Sequence, residues 1–295
     1  MDAALPLPQE MLEVALGNEG LRAWKIATPY CRALVSRQGA QLLEFQAVGK
    51  KPLLWRSPEA VLVPGKAIRG GIPLCFPWFG PHPDDPGKPA HGFARLRDWE
   101  LVQAAMAGDS LLLAFRLQSD AATRALWPHD FNATLVMTLG RTLALQLQVD
   151  NTGTQDFRFG FALHSYFPVS DVRTARIEGL EGVLYINQLH PERARLLQEG
   201  PVRFAGETDR IYLHTPSRYQ LLDPGRGQAI RISAADCRSV VIWNPWEAKT
   251  ARLPDMAPSA WQGMVCVESG NVEDDQVLLP AGAGKAFTLL LESEA

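Results

Sequence analysis

The 295-residue sequence has only four cysteines, Cys31, Cys75, Cys237 and Cys266, and no two are close enough to form a C-x-x-C pair. Each sits among apolar neighbours, so buried free thiols are expected rather than disulfides or zinc ligands. That usage suits a reducing compartment, and a cytoplasmic protein is expected. No run approaches the roughly 18 apolar residues that a membrane span needs, so no membrane contact is expected. The start, M-D-A-A-L-P-L-P-Q-E, carries acids and prolines where a secretion signal has a basic start and an apolar run, so no leader is expected there. An excess of positive charge is also missing: Lys and Arg total 29 against 32 Asp and Glu, a net charge of −3. A general nucleic-acid surface is therefore excluded, and any anion must be held by local arginines. There is no H-x-H, H-E-x-x-H or G-x-S-x-G, and no dinucleotide fingerprint follows a strand, so neither a metal nor a cofactor is expected. The G-A-G-K of Pro280–Lys285 lacks the Walker spacing and a following helix, and reads as a hairpin turn.

Helix signals are few. Asp120–Leu126 opens from Ser119 as a candidate N-cap, and Pro191–Gln198 and Pro258–Gln262 are short candidates. Strand signals fill most of the rest. Short apolar or alternating runs occur at Leu21–Ile26, Cys31–Ser36, Gln41–Val48, Pro52–Trp55, Trp99–Val102, Ser110–Gln118, Asn132–Leu139, Thr142–Asp150 and Phe157–Leu163. They continue at Arg173–Glu178, Val183–Ile186, Arg210–Thr215, Tyr219–Asp223, Gln228–Ser233, Ser239–Asn244, Gly263–Glu268, Gln276–Leu279 and Phe287–Glu292. Gly140-Arg141 marks a two-residue hairpin turn. Many short strands with Gly/Pro turns and no linker predict one all-β domain over residues 1–295, a large antiparallel sandwich or barrel.

The stretch Arg69–Arg95 breaks this pattern. It is too rich in Gly and Pro for helix or strand and too apolar for disorder. Arg69, His91 and Arg95 stand near its ends and Phe76, Trp78 and Phe79 in its middle, which reads either as a pocket-lining loop or as a surface loop covering a sheet edge. Among the histidines, His82, His129 and His190 read as surface residues and His214 is open. His164 follows the apolar strand Phe157–Leu163, at a strand end. Glu268 closes the apolar run Met264–Glu268, where a carboxylate needs partners. Each is either a satisfied structural residue or an acid-base group. Asp209 is either a turn cap or a ligand for a substrate hydroxyl. His, Glu and Arg together suit proton transfer on a small anionic substrate without a cofactor.

The motifs R-G-G-I-P-L-C-F-P-W-F-G, H-G-F-A-R-L-R-D-W, F-A-L-H-S-Y-F, E-T-D-R-I-Y, W-N-P-W and V-C-V-E-S-G-N occur in this order from Arg69 to Asn271. Together they resemble the D-hexose-6-phosphate mutarotases (glucose-6-phosphate 1-epimerases) of the aldose 1-epimerase superfamily. The resemblance implies a galactose-mutarotase-like β-supersandwich with a few short helices. It implies a cofactor-independent enzyme acting on a small-molecule substrate, a hexose 6-phosphate, and a monomer is expected. By the same resemblance, His164 is the general acid at the ring oxygen and Glu268 the base at the C1 hydroxyl. His91 lies near the ring oxygen, Arg69 and Arg95 hold the phosphate, and Asp209 binds sugar hydroxyls. Ala90 stands where some relatives carry a Gln ligand. Two other readings stay open: a mutarotase of unphosphorylated aldoses, and a non-catalytic sugar-phosphate sensor on the same fold.

Overall fold

A computed structural model describes residues 7–294. The start M-D-A-A-L-P-L-P-Q-E, where no secretion signal is expected, therefore lies largely outside the described residues. Two sheets dominate. A nine-stranded sheet has at its centre the long strands Gln228–Ala235, Gly284–Glu294, Leu143–Asn151, Phe131–Leu139 and Ser110–Gln118. A seven-stranded sheet runs in the order Arg195–Leu197, Leu184–Asn187, Thr208–Leu213, Ser239–Asn244, Met264–Asn271, Phe161–Pro168 and Leu74–Cys75. A four-stranded meander, Met11–Leu16 through Gln41–Ala47, and a two-stranded pair complete the architecture. All strand pairings in these sheets are antiparallel, as expected. One apolar cluster joins them: Leu135 and Leu289 from the nine-stranded sheet, Leu163, Val240 and Val267 from the seven-stranded sheet, and Trp24 and Val35 from the meander. No helix among the described residues is long and apolar enough to cross a membrane. All four cysteines are free and buried.

Several local expectations are corrected. Asp120, not Ser119, caps the helix Ala121–Leu126; its carboxylate accepts from the Thr123 N–H, and Thr123 Oγ1 accepts from the Asp120 N–H. Pro191–Gln198 is not helical but contributes the edge strand Arg195–Leu197, and Pro52–Trp55 forms no strand. Met11–Leu16 is a strand and Trp246–Thr250 a helix, both unforeseen. The loop at Gly140 has three residues, because Leu139 pairs with Leu143. Pro280–Lys285 is not a hairpin turn: Val277–Leu279 pairs with Phe157–Phe159, whereas Gly284–Glu294 joins the nine-stranded sheet. Finally, Phe157–Leu163 splits at Gly160 into Phe157–Phe159 and Phe161–Pro168.

That split moves His164 from a strand end to the middle of a strand. Glu268 likewise lies inside Met264–Asn271. The two are directly opposed across neighbouring strands. Alternation along strands and pairing between them then fix which side chains share a face. One row across the sheet is Asp209, Trp243, Cys266 and Tyr166; the adjacent row is Ile211, Val241, Glu268 and His164. The intervening residues Tyr212, Ile242, Val267 and Leu163 turn into the main core. One face of the sheet therefore turns into the main core, and the other holds His164, Glu268 and Asp209 beside smaller apolar clusters.

Candidate active site

On the outer face, His164 Nε2 lies 3.2 Å from Glu268 Oε1, and both side chains are almost fully buried. His164 Nδ1 and Glu268 Oε2 are buried without partners. Burial, reinforced by the charge of Asp209, pushes the Glu268 carboxyl well above the usual range. Burial, reinforced by His91, Arg95 and Arg69, pushes His164 well below it. Both shifts favour the uncharged pair, a carboxylic acid against a neutral imidazole.

The Arg69–Arg95 stretch lies along the edge of this sheet. The His164 and Tyr166 N–H groups donate to the Pro73 and Gly71 carbonyls at 3.0 and 2.9 Å. Gly71 has φ +65°, and a Cβ there would lie 2.1 Å from the Leu42 carbonyl oxygen, so no larger residue lets the chain pass. Gly92 is held likewise against the Phe76 carbonyl oxygen, at 2.0 Å. The loop's aromatics divide: Trp78 and Phe79 border a cavity with Gln188 and Arg193, whereas Phe76 borders none of it. Phe76 and Trp78 belong to the main core, with Phe76 packed edge-on against Phe93, Trp127 and Phe131. Only Phe79 is partly exposed, and its ring meets that of His91 at 4.7 Å.

His91 sits at φ +63° with its ring 6.1 Å from that of His164. The Gly80 N–H donates to His91 Nδ1 (3.3 Å), which assigns the ring proton to Nε2. Burial, with Arg95 and Arg69, pushes His91 down to about 3, so it is a neutral hydrogen-bond donor at physiological pH.

The two arginines differ. Arg95 donates Nη2 to the Ala90 carbonyl (3.0 Å), and its buried Nε has no partner. Ala90 thus contributes a backbone acceptor. Arg69 is already engaged: Nε and Nη2 donate to the Asp255 carboxylate at 3.0 and 3.3 Å, and Nη1 to Tyr166 Oη at 3.2 Å. Asp209 lies 4.0 Å from Lys249 Nζ, which also pairs with Glu207 at 2.8 Å. Burial outweighs Lys249 and raises Asp209 to about 6.

The structure thus brings His91, His164, Glu268, Arg69, Arg95 and Asp209 around one end of the seven-stranded sheet. Tyr166, Trp243, Lys249, Asp255 and Cys266 join them unforeseen. Tyr166 and Cys266 were within reach of a period-two reading, each two residues from a candidate. Lys249 and Asp255 lie just after W-N-P-W and carry no local signal. Asn244 anchors that turn, its Nδ2 donating to the Trp261 and Met264 carbonyls and its Oδ1 accepting from the Trp246 N–H.

No metal motif is present in the sequence, yet the sheet brings donor atoms of His164, Cys266 and Glu268 within 4.8 Å of one another. The surroundings disfavour a cation. Arg95 and Arg69 act on His164, and burial followed by the Glu268 charge pushes the Cys266 thiol well above its ordinary value. The arrangement suits proton transfer better.

Fold and site together define a β-sandwich protein with a buried His–Glu pair near two arginines. The chain belongs to the aldose 1-epimerase family, whose model matches residues 22–292. Two relatives carry the name "Putative glucose-6-phosphate 1-epimerase". The one from Salmonella typhimurium is 35% identical over 241 residues, covering 82% of this chain and 80% of the relative. The one from Escherichia coli is 33% identical over 248 residues, covering 84% and 82%. A solved Salmonella typhimurium structure, described as a "putative mutarotase", superposes with a TM-score of 0.88 at 30% identity, covering 98% of this chain and 97% of that one. The galactose-mutarotase-like sandwich expected from the motifs is the observed fold.

Proposed function

We propose that the protein interconverts the α and β anomers of hexose 6-phosphates, glucose 6-phosphate among them. The observation that carries this reading is the buried His164–Glu268 contact at 3.2 Å beside Arg69 and Arg95. In the working form Glu268 is a carboxylate and His164 an imidazolium. Glu268 takes the proton of the C1 hydroxyl while His164 Nε2 gives its proton to the ring oxygen. The C1–O5 bond breaks and an aldehyde forms at C1. Rotation about C1–C2 presents the other carbonyl face, and closure runs the transfers in reverse. Protons and electrons balance between the two side chains.

Ring opening leaves a carboxylic acid and a neutral imidazole, the forms that burial favours. The working ion pair is reached from the neutral pair by proton transfer from Glu268 to His164 across the 3.2 Å contact, and ring opening returns the two side chains to the neutral pair. Positioned acids and bases contribute about 10²- to 10⁴-fold each. The neutral His91 donates from Nε2 toward the ring, and Asp209 accepts from sugar hydroxyls. A phosphate monoester carries about −1.5 to −2 charges at neutral pH, which guanidinium groups match well. The names of the relatives support the same substrate class.

Exchange-type NMR on glucose 6-phosphate tests this. The wild type is expected to speed anomer exchange, and Glu268→Gln to return it toward the buffer rate. A wild-type sample that leaves exchange at the buffer rate overturns the reading.

A further inference from the structure

Resting on the mutarotase reading, we propose that Asp255, acting through Arg69 and Tyr166, positions the His164 imidazole, so that one guanidinium serves both the substrate's phosphate and the catalytic acid. A catalytic histidine is commonly oriented by a hydrogen bond at its second nitrogen. Here that nitrogen, Nδ1, is buried and has no hydrogen-bond partner among the described residues. Apart from the Nε2 contact with Glu268, what holds the ring is packing. The Tyr166 ring lies parallel to it, 4.7 Å away and inclined by 10°. Trp55 stacks against Tyr166 at 5.9 Å, and Trp243 meets His164 and Tyr166 edge-on, each at 6.4 Å.

The stack is in turn held from outside. Arg69 Nη1 donates to Tyr166 Oη, and Asp255 grips the Nε and Nη2 side of the same guanidinium. The guanidinium also lies 5.9 Å from the Trp243 ring. Asp255 and Arg69 are 186 positions apart, so this grip is built by the fold rather than by local sequence. Of the five N–H groups on a guanidinium, two remain free to meet a phosphate. Arg95, by contrast, has no carboxylate within ion-pair distance among the described residues, and its one side-chain hydrogen bond there goes to the Ala90 carbonyl. The two arginines therefore divide the work: Arg95 holds phosphate, whereas Arg69 holds phosphate and the acid's support.

The test compares Asp255→Asn, Tyr166→Phe and Arg95→Ala on glucose 6-phosphate and on free glucose. Asp255→Asn is expected to lower kcat at least tenfold on both sugars. It is also expected to move the alkaline limb of the rate profile to lower pH, because an uncancelled Arg69 charge makes the His164–Glu268 pair shed its shared proton earlier. Glu268, His91, Arg95, Tyr166 and Cys266, which also face the ring, are unchanged in that variant. Tyr166→Phe, which removes only a hydroxyl, is expected to lower kcat on both sugars, and Asp255→Glu to recover part of the loss. Arg95→Ala is expected to raise KM for the phosphorylated sugar by a larger factor than for free glucose. The inference is overturned if Asp255→Asn and Tyr166→Phe leave the free-glucose rate and the pH limb at wild-type values. Should Asp255→Asn fail to fold, Tyr166→Phe decides alone by the same criterion. Ring NMR of His164 in the same variants reads its environment without turnover. An inactive wild type would therefore count against the mutarotase reading, while an unchanged His164 signal would count against this one.

Discussion

Leu163 and His164 are neighbours in the chain and opposites in environment, as are Val267 and Glu268. Leu163 and Val267 face the main core, packed with side chains from the nine-stranded sheet. His164 and Glu268 face outward among Tyr166, Cys266 and the arginines. All four are buried, so depth does not separate core from site. What separates them is polar satisfaction. The inner face has little to satisfy, whereas the outer face leaves His164 Nδ1 and Glu268 Oε2 without partners. Unsatisfied polar atoms at this depth lower stability by about 1–3 kcal/mol each. An outer face that keeps them gives up stability that the inner face of the same strands supplies.

Three substitutions sharpen or break this contrast. Glu268→Gln should lower kcat by about 10²- to 10⁴-fold, about 3 to 5 kcal/mol of barrier. The same change should raise Tm at neutral pH. The folded protein holds the Glu268 proton above the unfolded value, so ionisation of the unfolded chain disfavours folding as pH rises, and an amide removes that effect. A fall in Tm would show that the carboxyl supports the fold. Leu163→Ala should do the reverse: about 3 kcal/mol less stability in denaturant melts, with kcat per folded molecule within about threefold of wild type. A collapse of kcat at full stability would mean that the two faces are not independent.

Asp209→Asn should have the smallest effect. With Asp209 raised to about 6 in the folded protein, its ionisation disfavours folding progressively from about pH 4 to about pH 6 and fully above that. The variant should therefore gain of order 2 kcal/mol at pH 7 to 8, and the gain should vanish below about pH 4. A gain independent of pH would place its cause elsewhere. The activity of the wild type should fall as Asp209 gains its proton below about pH 6, a limb that this variant lacks.

Most strands were legible because alternation and Gly/Pro punctuation are local. Ser110–Gln118, Cys31–Ser36 and Ser239–Asn244 stand where the pattern put them. His164 and Glu268 were legible as polar residues in apolar runs and from their motifs. Their direct opposition was not, because it depends on the register between strands about a hundred residues apart. The same limit hid Asp255, whose partner Arg69 lies in another part of the chain. The loop aromatics were legible only in part: Trp78 and Phe79 border a cavity, but the core packing of Phe76 and Trp78 was hidden. Phe76 and Trp78 lie among prolines, which a sheet interior excludes, yet the loop folds back far enough for both rings to reach the main core.

The short strand Leu74–Cys75 closes one edge of the seven-stranded sheet, and the rest of the Arg69–Arg95 loop runs on beside it through the Gly71 and Pro73 carbonyls. The opposite edge is the three-residue strand Arg195–Leu197, where Arg195 pairs with Asp274 at 2.7 Å. Open backbone edges invite a second chain to add its own strand, and short or covered edges deny it a template. The loop proposed to grip a sugar phosphate is thus also a guard against aggregation. Variation there is constrained twice, by the ligand it is proposed to hold and by the neighbours it must turn away.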